Sequence, residues 1–201
     1  EGGIFTKNIE RNTTVPVSRG QLFTNASDFQ TAMDIHVLQG EREMAIHNMT
    51  LDRFELNGIP AAPRGEARVE VTFNIDANGI LRVAAHDLYG DNSKELRISP
   101  RFYGLQQEEL GRMIEEAERY AAEDQREREE VEINIRAHNM IRAADETLEE
   151  ADEDAPAALR DEIEEGALRV RAALASGDSE EIKAKTEGLE EKVKALSRAT
   201  K

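Results

Sequence analysis

Cysteine is absent from all 201 residues of the chain. This excludes disulfide frameworks, thiolate metal sites and cysteine nucleophiles, and it favours a reducing compartment. No stretch approaches the roughly eighteen consecutive apolar residues of a transmembrane helix. The start, EGGIFTKNIE, lacks the basic residues and apolar run of a signal peptide. We therefore expect a cytoplasmic protein, and the abrupt start suggests a fragment of a longer chain.

Recognisable catalytic motifs are also missing. The sequence has no glycine-rich phosphate loop and no serine in a nucleophile elbow. Asn74, Asp76 and Asn78 imitate the start of a calcium loop, but Ala85 stands where that loop needs a glutamate. The four histidines show no metal-ligand spacing. We predict neither catalytic residues nor a metal site in this chain.

Negative charge is concentrated in the second half of the sequence. The formal net charge is −16, which makes nucleic acid and anionic membranes poor partners because both would repel the chain. Residues 1–104 carry 11 Lys and Arg against 14 Asp and Glu, whereas residues 105–201 carry 15 against 28. Nine of the 13 glycines also lie in the first part, where turns between strands would need them. Two domains are predicted, residues 1–104 and 105–201.

The first domain has the pattern of short antiparallel strands. In RVEVTFNIDANGILRVAAHD, the apolar residues Val69, Val71, Phe73 and Ile75 alternate with polar ones, and the alternation resumes at Leu81 after the turn DANG. This pattern predicts a hairpin. Further strands are predicted at residues 4–9, 15–24, 30–38, 41–47, 51–57 and 94–99. About eight strands at this spacing favour an antiparallel β-sandwich.

The second domain has the pattern of a helical bundle. Good helix formers dominate it, and apolar stripes at helical spacing predict four helices. Residues 124 to about 151 are polar at first and amphipathic later, which predicts a helix that leaves solvent to join a bundle or lies across another module. Gly177 followed by DSEE predicts a helix end and then a cap from Asp178 to Glu181. The predicted fold class is α+β in two segregated parts.

One strand, in QTAMDIHVLQGERE, has a sharply two-sided pattern. Met33, Ile35 and Val37 share one face, while Asp34 and His36 share the other. Strand alternation by itself favours packing of the apolar face in the interior.

Four quoted segments carry a resemblance to a known family. GGIFTKNIERNTTVPV, FTNASDFQTAMDIHVLQGERE, FELNGIPAAPRGEARVEVTFNIDANGILRVAAHD and GLQQEELGRMIEEAE are similar to the substrate-binding half of DnaK-type heat-shock chaperones. The resemblance covers essentially the whole chain and is looser after about residue 120. It implies a β-sandwich whose upper loops hold an extended apolar peptide and a helical lid that covers it. The family's ATPase domain and linker would precede Glu1.

The resemblance also implies which residues bind the peptide. Phe23, Met33 and Ile35 would form the walls of a central pocket. The main chain near the peptide would come from Glu1, Gly2, Thr24, Ala26, Gln30 and Thr31.

Two pairs of residues are implied as a latch for the lid. Relatives pair the arginine that matches Arg64 with a lid aspartate, but His138 stands at that position here. Asp28 would instead meet Arg142, where relatives have histidine. The alternative is that all four side chains are solvated, since exposed pairs contribute only about 0–1 kcal/mol.

The implied function is that of a chaperone domain for unfolded polypeptides. The resemblance implies that residues 1–201 are not an enzyme and hold no cofactor, with ATP and magnesium bound by the ATPase domain. Expected partners of the whole protein are unfolded apolar polypeptides, a J-domain co-chaperone and a nucleotide-exchange factor. One alternative is a scaffold that docks a folded partner, and another is a hydrolase that uses His36 or His86.

Overall fold

The α+β class is confirmed in the computed structural model, which describes residues 2–100, 107–151 and 156–199. These residues contain six strands and three α-helices. The strands are β1 (Val17–Phe23), β2 (Ala32–Gln39), β3 (Met49–Asn57), β4 (Val69–Ile75), β5 (Leu81–Asp87) and β6 (Ser93–Ile98). The helices are α1 (Gln107–Glu150), α2 (Ala157–Ser176) and α3 (Ser179–Ala199).

The chain packs as two compact units. The first comprises Gly3–Asp124 and the second Gln125–Lys201, with Gly2 packing in the second. Helix α1 contributes residues up to Asp124 to the first unit and later residues to the second. The domain division predicted between residues 104 and 105 falls at residues 101–106, outside the described residues, and stays a prediction.

Two antiparallel sheets form the first unit. One has the strand order β1-β4-β5-β6, and the other pairs β2 with β3. The predicted hairpin is confirmed, since β4 and β5 pair from Val69↔Asp87 to Ile75↔Leu81. Its turn is closed by Asp76, whose Oδ1 accepts the backbone N–H groups of Asn78 (2.8 Å) and Ile80 (3.0 Å).

The predicted number of about eight strands is not reached, because residues 4–9 and 41–47 are not strands in the structure. The two segments form no ladder: they meet at a single bridge between Ile4 and Met44, at a hydrogen bond from the Phe5 N–H to the Glu43 carbonyl (2.8 Å), and at the ion pair of Lys7 with Glu41 (2.8 Å). Asn48 explains why residues 41–47 do not form a strand, since its side-chain amide donates to the carbonyls of Arg42 (2.8 Å) and Met44 (3.0 Å). A side chain that bonds the local backbone offers it an alternative to a sheet ladder. Residues 42–48 therefore close into a loop with one 3₁₀ turn.

The core of the first unit lies between the two sheets. Val69, Val71, Val83 and Ala85 are each at most 1% exposed. They contact apolar side chains of the two-stranded sheet, among them Val37 and Leu56. This burial of alternate residues is what the period-two pattern predicted.

A buried ion pair holds the start of α1 in the first unit. Asp124 is 1% exposed, and its carboxylate accepts hydrogen bonds from Arg42 Nε and Nη2, both at 2.5 Å. The backbone N–H of Glu43 donates to the same carboxylate at 3.3 Å. The Arg42 guanidinium also lies 4.6 Å from the ring centroid of Tyr120. Tyr120 lies one turn before Asp124 on α1. These contacts join α1 to the loop after β2.

The described residues contain three helices where four were predicted, because the first two predicted helices are continuous as α1. The second unit consists of α2, α3 and the part of α1 after Asp124. Its core takes residues from every helix, including Ala137 and Ala144 of α1, Ile163 and Val170 of α2, and Ile182, Leu189 and Leu196 of α3. Gly177 ends α2 in the left-handed conformation, at φ 75°. The Asp178 carboxylate then accepts the N–H groups of Glu180 and Glu181, as predicted for a cap. None of the described helices combines the length and apolar character needed to cross a bilayer.

The ion pair predicts the effect of Asp124→Asn. Hydrogen bonds from Arg42 lower the pKa of Asp124 below its ordinary value. The variant leaves a largely buried guanidinium without its anion, so we expect the free energy of unfolding of the first unit to fall by about 3 kcal/mol. The measurement is urea unfolding at pH 7. It is monitored by the fluorescence of a tryptophan introduced at an exposed site of each unit.

The pH dependence follows from the lowered pKa. Because the folded pKa lies below the unfolded value of about 4, the stabilisation is complete above pH 4 and is lost as the pH falls through the folded pKa. The wild-type advantage over Asp124→Asn should therefore shrink in acid. Glu115→Gln, which removes an exposed pair with Arg119, is the control and should change stability by less than about 0.5 kcal/mol. Equal losses in the two variants would contradict the assigned role of the ion pair.

Candidate functional site

An apolar cavity of about 710 Å³ lies in the first unit. Ligand sites span about 300–1,000 Å³, and an apolar cavity of about 150 Å³ already holds benzene. This cavity therefore has room for several side chains. Its walls come from the segment before β1, from β2, from the core faces of β4 and β5, and from the first turns of α1. Among the lining residues are Ile4, Phe5, Val37, Leu38, Leu51, Val71, Phe73, Ile75, Leu81, Leu110 and Met113.

Six of the nine residues predicted to bind peptide line this one cavity. They are Phe23, Thr24, Ala26, Gln30, Met33 and Ile35. Thr31 is not among the lining residues, and its carbonyl accepts the N–H of Ile59 at 3.0 Å. Glu1 lies outside the described residues. Gly2 packs in the second unit, where an added Cβ would collide with Val131, so its predicted role at the peptide stays a prediction.

Met33 and Ile35 belong both to the core and to the cavity wall. Each is 8% exposed and packs in the core of the first unit. Strand alternation favours interior packing for these two residues. Their place in the cavity wall is compatible with that packing. Phe23 is half-buried at the end of β1 and packs against the same core.

The loop between β1 and β2 forms one edge of the cavity, and we call residues 24–30 the mouth loop. Gln30 stabilises it from within, because its Oε1 accepts the N–H groups of Ala26 (2.9 Å) and Ser27 (3.2 Å). Its Nε2 donates to the carbonyl of Ala32 at 2.6 Å. The N–H of Ala26 is thus already bonded to Gln30, so a bound peptide could hydrogen-bond the main chain of Ala26 only at its carbonyl oxygen.

Asn25 is a residue of this loop that the sequence reading missed. It is 2% exposed, and its side chain bonds the backbone of a second loop, residues 62–67. The only available signal was an asparagine beside a predicted strand end, which is typical of any turn. Nothing in the local sequence indicates its distant partners.

His36 lines the cavity but is not arranged as a base. Arg53 Nη2 donates to its Nδ1 at 3.0 Å, which leaves Nε2 as the donor to Thr50 Oγ1 at 2.9 Å. Burial and then the neighbouring Arg53 charge lower the pKa of His36, which keeps the ring neutral. Since both ring nitrogens are engaged, the predicted alternative of a hydrolase based on His36 gains no geometric support.

The predicted latch residues lie in different units. Asp28 and Arg64 belong to the first, where Asp28 Oδ1 accepts the backbone N–H of Arg64 at 2.8 Å. His138 and Arg142 belong to the second, where Arg142 lies 3.5 Å from Glu146 on the same helix. Both latch pairs stay predictions.

Comparison with known proteins identifies the relatives of this chain. The family model described as "Hsp70 protein" matches residues 1–201. "Chaperone protein DnaK" of Methanothermobacter thermautotrophicus is 48% identical over 195 residues, which is 97% of this chain and 33% of that relative. The chain thus spans about a third of the length of the curated relative that it matches.

These matches correct one prediction. We expected that residues 1–201 are not an enzyme, whereas the match to the Hsp70 family and to DnaK points to an ATP-hydrolysing enzyme. The prediction relied on the resemblance, which implied that the ATPase domain lies outside residues 1–201 and that only the longer protein hydrolyses ATP.

The family is shown by the extent of the match. The Hsp70 family model covers every residue, and nearly half of the aligned positions are identical in a DnaK relative. The predicted resemblance is confirmed at this level: the chain belongs to the Hsp70 family, whose members are chaperones.

Proposed function

We propose that residues 1–201 form the substrate-binding part of an Hsp70 chaperone. Residues 1–104 would bind extended apolar segments of unfolded polypeptides, and residues 105–201 would form a helical lid. The observation that carries this proposal is the convergence on one apolar cavity of six residues whose role the family resemblance implied. They are Phe23, Thr24, Ala26, Gln30, Met33 and Ile35.

The chemistry of the cavity suits an unselective binder. A backbone offers the same hydrogen-bonding groups whatever its sequence, so main-chain contacts do not depend on the client. An apolar socket between Phe23, Met33 and Ile35 favours a Leu- or Ile-sized side chain without reading its neighbours. Met33 adds adaptability, because its unbranched side chain can adjust to different occupants.

The open cavity alone would bind an extended peptide weakly. About five backbone hydrogen bonds at about 1 kcal/mol each and one buried leucine at about 2 kcal/mol stabilise the complex. Ordering an extended peptide costs about 2–5 kcal/mol. The remainder of about 2–5 kcal/mol corresponds to a dissociation constant no tighter than about 0.2 mM. Additional contacts are therefore needed for stable binding.

The first turns of α1 supply such contacts. Leu110 and Met113 line the cavity, and Arg42 with Asp124 holds the same helix segment in the first unit. An occupant would thus be enclosed by apolar side chains from both the sheets and the helix. Apolar contacts between the occupant and this helix would exist only in the bound state, so they would slow release more than association.

The activity of the whole protein is a further proposal. Since the DnaK relative is about three times as long as its matched part, we assign ATP hydrolysis, with ATP and magnesium, to the longer protein. There it would control the affinity of the peptide site. A J-domain co-chaperone and a nucleotide-exchange factor would be its partners, and the cytoplasm its location.

The socket predicts the effect of Met33→Trp. The indole should fill the space beside Phe23 and Ile35 and weaken binding of a Leu-centred heptapeptide at least about tenfold, without unfolding the sandwich. Fluorescence anisotropy with a labelled peptide measures the affinity, and circular dichroism checks the fold. The matched control is Ile46→Trp, because Ile46 is 82% exposed and does not line the cavity. An unchanged affinity in Met33→Trp would sink the socket assignment.

The helical wall predicts the effect of Leu110→Ala combined with Met113→Ala. Loss of two apolar contacts should raise the dissociation rate of the peptide about tenfold and leave the association rate within about threefold. Stopped-flow displacement of the labelled peptide gives both rates. Leu168→Ala, on an exposed side chain of α2, is the control. Equal dissociation rates in the double variant and the wild type would show that α1 does not retain the peptide.

A further inference from the structure

The side chain of Asn25 joins the mouth loop to a second loop. We call residues 62–67 the bracing loop. Asn25 Nδ2 donates to the carbonyls of Ala62 (3.1 Å) and Pro63 (2.9 Å), and Asn25 Oδ1 accepts the N–H of Ala67 at 3.0 Å. Nδ2 also donates to the carbonyl of Ser27, inside the mouth loop, at 2.8 Å. Every one of these partners is backbone, so the contacts position main chain rather than side chains.

Main-chain and carboxylate bonds reinforce the same junction. The N–H of Gly65 donates to the carbonyl of Asn25 at 3.1 Å, and the N–H of Phe29 donates to the carbonyl of Ala62 at 2.8 Å. The N–H of Arg64 donates to Asp28 Oδ1 at 2.8 Å. The mouth loop is therefore bonded to the bracing loop at three residues, Asn25, Asp28 and Phe29.

Phe29 shows that the mouth loop is held in a costly conformation. Its φ is 57°, and its ring is 68% exposed. A non-glycine residue in the left-handed region costs on the order of 1–3 kcal/mol and persists only where surrounding bonds determine it. The bonds that the bracing loop makes to Asp28 and to Phe29 itself provide this constraint.

The junction acts on the cavity from outside. Thr24 and Ala26, the neighbours of Asn25, line the cavity, whereas Asn25 itself does not. The bracing loop contributes no lining residue either. Whatever these bonds do to a bound peptide, they do through the position of the mouth loop.

We propose that Asn25 is a positioning residue for peptide binding: its buried amide fixes the mouth loop against the bracing loop and thereby slows peptide release. This inference rests on the proposed function. A loop that is already held in place loses little further freedom when a peptide binds, and it must break its own bonds before it can move aside. The junction therefore chiefly affects the dissociation rate.

The chemistry of the site requires an amide at position 25. Its two N–H donors are shared among three backbone carbonyls, and its carbonyl oxygen accepts one backbone N–H. An aspartate has no donor and would place negative charge against those carbonyls. An alanine would remove all four bonds: the buried N–H of Ala67 would lose the Asn25 acceptor and the carbonyl of Ser27 the Asn25 donor, while the carbonyls of Ala62 and Pro63 would keep only the N–H groups of Phe29 and Glu66.

The first test compares Asn25→Ala with Asp76→Ala in the complete chain. Asp76→Ala removes two hydrogen bonds to backbone N–H groups in the β4–β5 turn, outside the mouth loop, and serves as a control for lost stability. We expect Asn25→Ala to raise the dissociation rate of a labelled Leu-centred heptapeptide about tenfold, with the association rate within about threefold. Measurements are made at urea concentrations that give both variants the same free energy of unfolding. An equal increase in Asp76→Ala would reduce Asn25 to a merely structural residue and overturn the inference.

A second variant keeps the test sharp if Asn25→Ala does not fold. Gly65 has a φ of 83° and no atom within 4 Å of an added Cβ, so Gly65→Ala strains the bracing loop without a collision. Although residue 65 lies outside the cavity, this variant should also speed peptide release. An unchanged dissociation rate in folded Gly65→Ala would overturn the inference.

Amide hydrogen exchange separates this inference from the proposed function. In either variant we expect faster exchange in residues 24–30 and 62–67, with the β4–β5 turn unchanged. If the wild-type chain binds no peptide, the proposed function fails, and hydrogen exchange alone then tests whether Asn25 fixes the mouth loop. Unchanged exchange in the mouth loop of the variants would overturn the inference.

Discussion

The first unit depends on the buried pair between Arg42 and Asp124. Desolvation of two charges is expensive, and it is offset here only because two guanidinium N–H groups and a backbone N–H converge on one carboxylate. Such a pair tolerates little displacement, so it specifies where the start of α1 lies. The apolar contacts of Leu110 and Met113 at the cavity could be made in many ways, and the ion pair selects one of them.

Directional polar groups and apolar walls thus have separate tasks around the cavity. Arg42 with Asp124 places the helix, and the amide of Asn25 places the mouth loop. Between them the lining is largely apolar, which suits occupants whose sequence varies. Rigid polar junctions around an unselective interior agree with the proposed function, in which the bound segment would differ each time while the main-chain contacts stay in place.

Periodicity predicted the regular elements well and the irregular ones poorly. The hairpin of β4 and β5 and the start of α3 follow from alternation and from a capping residue, both of which are local signals. The segment 41–47 also has a strand pattern, yet Asn48 bonds its backbone and closes a loop. The backbone there can bond either the Asn48 side chain or a neighbouring strand, and the choice depends on geometry that the alternation of apolar residues does not contain. Of the four predicted helices, the first two are continuous as α1, and Asp124, where the second was predicted to begin, is bonded to the distant Arg42.

By itself, the sequence determined the fold class through the spacing of apolar residues, and its quoted motifs carried the resemblance that gave the family and six residues of the cavity wall. Tertiary structure alone decided the rest. The partner of Arg42 lies 82 positions away, and those of Asn25 lie up to 42 positions away. Hydrogen bonds across such separations exist only once the chain has folded, since no local pattern relates a buried amide or carboxylate to its distant partner.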